Sequence, residues 1–72
     1  MKSIKEVFEN RNIIITNILQ GKNNQVRIDA RTRFHIPDAR NHFSKWCSLE
    51  YANRLSQERF GKKVTELRAF RY

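Results

Sequence analysis

Cysteine is all but missing from this chain, with Cys47 alone. No intramolecular disulfide and no multi-cysteine metal site is therefore open to it, and a secreted domain this small ordinarily needs disulfide staples. Glycine and proline are just as scarce, with Gly21, Gly61 and Pro37 the full set, and no repeat, linker or low-complexity stretch interrupts the sequence. Long apolar runs are absent as well. The longest, Ile13 to Ile15, falls far short of the roughly 20 residues that span a membrane. The opening Met1-Lys2-Ser3-Ile4-Lys5-Glu6 lacks the apolar stretch of a signal peptide after its basic start. Together these absences predict a cytoplasmic chain without a membrane partner.

Negative charge is also in short supply. Seven Asp and Glu face fifteen Lys and Arg, for a formal net charge of +8. On so small a body such an excess raises a potential of several kT, which draws in polyanions and speeds their capture. Plain solubility is the competing account, since small domains often carry a net charge of magnitude about 2–8. The excess is also uneven. Residues 1–21 are nearly balanced, residues 22–45 set six basic side chains against Asp29 and Asp38, and residues 54–72 set six more against Glu58 and Glu66.

What is present suffices for one small core. At 72 residues a chain buries only about 60% of its unfolded surface, and the 39% hydrophobic fraction with eight aromatic rings fits a single domain over 1–72. Ser3 and Glu6 have the spacing of a capping box, and Ile4, Val7 and Phe8 share a helical face, which predicts a first helix over about 3–10. Ile13-Ile14-Ile15-Thr16 is β-branched throughout and favours a strand. Ile15, Ile18 and Leu19 also continue a helical stripe toward Gly21, but the poor helix formers Asn10 and Asn12 decide for a strand over about 12–19.

Gly21 to Asn24 is turn chemistry. Val26, Ile28, Ala30, Thr32, Phe34 and Ile36 then alternate with Arg27, Asp29, Arg31, Arg33 and His35. That period of two predicts one long, half-buried strand, stopped by Pro37 and Asp38. Residues 38–47 read either as a helix opened by Pro37 or as a short strand through His42 to Cys47. Ser48 is a good N-cap for a helix carrying Leu49, Ala52, Leu55 and Phe60, with Gly61 as its left-handed stop. A final strand is expected over about 63–71. The sum is an α+β fold, a small antiparallel sheet of about three strands with one or two helices packed on one face.

The wet side of the long strand is the main chemical feature, with Arg27, Arg31, Arg33 and His35 interrupted by Asp29. Alternate strand residues lie about 6.6–6.8 Å apart, on the scale of a nucleic-acid backbone repeat. Arginine suits phosphate because its planar fork grips two oxygens and stacks on bases. A C-terminal strand beside this one would add Glu66, Arg68 and Lys62 or Lys63 to the same surface, and Arg71 is a further candidate contact. The plainer account is a solvated sheet face with Asp29 and Glu66 as cross-strand partners, and Lys62-Lys63 also suits the negative end of the preceding helix. Phe43, Trp46, Tyr51, Phe60 and Phe70 are assigned to the core, which leaves Phe34 and Tyr72 as the rings to test for base contact.

No enzymatic constellation stands out. His35 and His42 lack companions at metal-ligand spacing, and Cys47 has no base and orienter, so it reads as an inert thiol. No cofactor is expected. The leading expectation is a non-enzymatic nucleic-acid-binding protein that holds the phosphate backbone of DNA or RNA, with homodimerisation through a sheet edge as an option. The capped helix, Phe60-Gly61 stop and short strand of Ser48 to Phe70 loosely resemble small phage proteins, some anti-CRISPR inhibitors among them. That resemblance, over about a third of the chain, implies the alternative: a phage- or plasmid-encoded inhibitor or adaptor for a host protein or nucleoprotein with an acidic surface. A helix-turn-helix over 38–60 is a weaker third option.

Overall fold

Period-two burial dictates the centre of the fold. In the computed structural model, which describes residues 4–71, the side chains of Val26, Ile28, Ala30 and Thr32 are buried while Gln25, Arg27, Asp29 and Arg31 stand on the other side. They form β2 (Gln25–Thr32), which pairs antiparallel with β1 (Ile13–Gln20) on one side and β3 (His42–Ser48) on the other. The β1–β2 hairpin turns at Asn23 and Asn24, both in the left-handed region (φ 57° and 58°), with Gln25 N–H donating to Lys22 C=O at 3.2 Å. Two left-handed central residues match the right-handed twist of the flanking strands, and Asn tolerates that conformation.

Helix α1 (Ile4–Glu9) buries Ile4, Val7 and Phe8, and helix α2 (Leu49–Phe60) buries Ala52, Leu55 and Ser56. Both cover the same face of the sheet, over Ile13, Ile18, Val26, Ile28 and Ala30. Ser48 caps α2 by accepting the Tyr51 N–H at 3.1 Å, and Gly61 closes it at φ 73°. A 3-10 turn (Val64–Glu66) then leads to the two-residue β4 (Phe70–Arg71), which pairs parallel with Ile18 and Leu19 of β1. The sheet order is β3-β2-β1-β4, an α+β fold with a mixed four-stranded sheet. No described helix is long and apolar enough to cross a membrane.

Several sequence expectations are corrected here. The alternating strand ends at Thr32, and Phe34 and Ile36 are exposed in the following loop. That loop is stapled by Asn41, whose Oδ1 accepts from Thr32 Oγ1 (2.8 Å) and from Ile36 N–H (2.7 Å), so the backbone there is satisfied without a further ladder. Residues 42–48 are strand, which removes the helix-turn-helix option. The expected final strand over 63–71 is mostly 3-10 turn and bend, and it lies beside β1 rather than β2. The Ser3 half of the predicted capping box lies outside the described residues.

Candidate nucleic-acid interface

With both helices on one side, no described helix covers the opposite face of the sheet. Residues directly paired across strands share a face, so the register lays out this surface in rows. Trp46, Arg27, Leu19 and Arg71 form one row across all four strands. Ser44, Asp29 and Asn17 form the next, and His42, Arg31 and Ile14 the third. At about 4.8 Å between strands, Trp46 and Arg71 stand about 14 Å apart, and the first and third rows are separated by about 13 Å.

Of the five rings expected in the core, Phe60 is instead 43% exposed at the end of α2, and Trp46 is displaced further still. It is 57% exposed on the outer face, whereas Phe43, Lys45 and Cys47 take the inward positions of β3. The signal was available in the strand alternative for 42–47, where the parity puts Trp46 with Ser44 and Ser48 and opposite Phe43 and Cys47. Gly21 makes room for the indole: a Cβ there would collide with ring carbons Cζ3 and Cη2 of Trp46. Cys47, on the core side, is a half-buried free thiol that burial pushes above its ordinary pKa, so little thiolate is present at neutral pH.

The arginines of the face differ in how they are held. Arg27 Nη2 donates to Asp29 Oδ2 at 3.1 Å. Its Nε lies 3.1 Å from Oδ1, an ion-pair distance, yet is not aligned for a hydrogen bond and stays a buried unsatisfied donor. Asp29 Oδ1 also accepts from Ser44 Oγ at 2.7 Å. Arg27 is thus largely neutralised at the centre of the face. Arg31 and Arg71 are exposed and lack a described carboxylate within ion-pair distance. Each spends one donor on a backbone carbonyl, Thr32 and Arg68 respectively, at 3.1 Å, and a guanidinium keeps others for an incoming ligand.

The remaining predicted site residues do not join this surface. Arg33 lies past the end of β2, with its Nη2 3.4 Å from the Arg11 carbonyl. His35 is in the exposed loop, and Lys62 and Lys63 follow α2, with Lys63 lining a cleft beside the hairpin turn and the start of α2. Arg68 sits in the bend before β4. Phe34 is 70% exposed but off the sheet, Phe60 is 43% exposed at the end of α2, and Tyr72 is outside the described residues. Thus Arg27, Arg31 and Arg71 are brought together, joined by Trp46, Leu19 and His42. No family model, curated protein or solved structure matches the chain.

Proposed function

We propose that this protein binds nucleic acid through the open face of its sheet, with unpaired bases stacking on Trp46 and phosphates meeting Arg31 and Arg71. The carrying observation is the row Trp46–Arg27–Leu19–Arg71, an exposed indole and half-buried aliphatic surface bounded by guanidinium groups. Aromatic rings on a basic surface suit single strands, whose bases have free π-faces, better than duplexes, whose bases are already stacked. The charge excess alone would serve an acidic protein surface equally well, as in an inhibitor or adaptor. The exposed indole on this sheet face is what favours nucleic acid.

The test is fluorescence anisotropy with labelled single-stranded and double-stranded oligonucleotides of DNA and of RNA. Single strands should bind more tightly than duplexes. Trp46→Ala should cost about 1–3 kcal/mol, the worth of one stacked base, with the fold intact by circular dichroism. Equal binding by the parent and Trp46→Ala proteins sinks the proposal.

A further inference from the structure

The open face is not the only unfinished surface. Strand β4 covers β1 only at Ile18 and Leu19, and a β-bulge lies between Ile15 and Asn17. Nothing among the described residues pairs with the outer edge of β1 before that bulge. Hydrogen bonding along an antiparallel pair alternates in direction. Arg33 N–H donates to Asn12 C=O, which turns Asn12 and Ile14 toward β2. Ile13 and Ile15 therefore direct their peptide groups outward. The Ile13 N–H is taken by Asn10 C=O at 3.3 Å, which leaves the Ile13 carbonyl and both groups of Ile15 at the edge.

A cleft of about 460 Å³ runs along this edge. Ile15, Phe8, Phe60 and Leu67 give it an apolar wall, and Phe60 remains 43% exposed although its ring lies 6.2 Å from that of Phe8. The charged residues lining it are Arg11, Arg33 and Arg59, with no Asp or Glu. The Arg59 guanidinium sits 5.5 Å over the Phe60 ring. The other free edge of the sheet is built differently. Strand β3 carries Lys45 on its inward side, and an inward-pointing charge on an edge strand discourages pairing with another chain. The β1 edge has only isoleucine at 13–15 and no such guard.

From this geometry we propose that the outer edge of β1, at Ile13–Thr16, takes up an extended segment of another protein as an added strand. Backbone bonds to Ile13 and Ile15 would give affinity, apolar side chains would enter the cleft beside Phe60, and acidic side chains would meet Arg11, Arg33 and Arg59. This is strand addition, in which main-chain bonds bind and alternate side chains select. Charge complementarity fixes the occupant as acidic. A second copy of this chain would instead bring two sets of three arginines together across the shared edge.

The probe is a labelled, end-capped peptide of about eight residues alternating Val and Glu, long enough at about 3.4 Å per residue to span the edge. Its partner probe has the same sequence with one amide N-methylated, which keeps the charge and removes a strand donor. The unmodified peptide should bind and should shift backbone amide resonances of Ile13 to Asn17. N-methylation at the amide facing Ile15 should weaken binding roughly tenfold, as should Arg33→Glu with Arg59→Glu.

Equal binding of the two peptides, or shifts confined to the rows of Trp46 and Arg31, overturns the proposal. So does a sedimentation mass of two chains that the peptide does not reduce, because the occupant is then a second copy. Trp46→Ala should leave peptide binding unchanged while it lowers oligonucleotide affinity, so either reading can fail without the other.

Discussion

Trp46 and Gly21 show how a single missing atom organises the candidate interface. Gly21 is not among the residues at positive φ, so its backbone does not require glycine; the space left by its absent Cβ does. Gly21→Ala would drive a methyl into Cζ3 and Cη2 of the indole. The ring is on the surface and can swing into solvent. The backbone oxygen of Gln25, 3.2 Å from the new methyl, need yield only a few tenths of an ångström, so the domain should stay folded. The expected result is a red shift in tryptophan emission and a loss of single-strand affinity up to the about 1–3 kcal/mol of the stacked base, with no charge removed. If Gly21→Ala binds like the parent, the placement of the indole is irrelevant to binding. Neither residue was legible in the sequence as part of the candidate interface. A large ring in a small domain reads as core, and what exposes this one is the strand parity of residues 42–48, a segment whose secondary structure the sequence left open.

At the scale of elements, legibility followed how local the determining forces are. Helix α2 was readable because its signals are within its own residues: the Ser48 cap, the apolar spacing and the Gly61 stop. Ser48→Ala removes the acceptor for the Tyr51 N–H and should cost about 1 kcal/mol. In a domain of this size that lowers Tm by about 4–8 °C in a thermal melt. An unchanged Tm would mean that the Leu49 N–H bond to Asn24 C=O, 2.7 Å long, holds the start of α2 without the cap. Strand β2 was read correctly as far as Thr32 because a half-buried sheet demands a period of two. Beyond it the alternation of Phe34 and Ile36 has no structural meaning, since Asn41 stabilises the turn from nine residues away. The C-terminal segment escaped for the same reason. Its 3-10 turn depends on Asn53 Oδ1 accepting the Val64 N–H at 2.9 Å and on Ser56 Oγ donating to the Lys62 carbonyl at 2.6 Å. Both are contacts with α2 that no local pattern announces.

Over the whole molecule, the question is whether the net charge of +8 acts as one field or as separate patches. The fold divides it. Arg31 and Arg71 face outward from the sheet with Arg27 paired to Asp29, Arg11, Arg33 and Arg59 line the β1 edge cleft, and Lys63 lies beside the hairpin turn. A strand lying on the open face meets only the first group. Counterion release from single strands gives a slope of log K against log salt near −0.7 per phosphate neutralised. Two free arginines and a partly neutralised third then predict a slope of about −1.4 to −2.1, whereas engagement of the whole excess would give about −5.6. Salt titration of single-strand affinity measures this directly, and Arg31→Ala with Arg71→Ala should flatten most of the dependence. A slope steeper than about −4 would mean that the nucleic acid wraps onto the edge cleft or the hairpin end, and the open face would then be only a part of the binding surface.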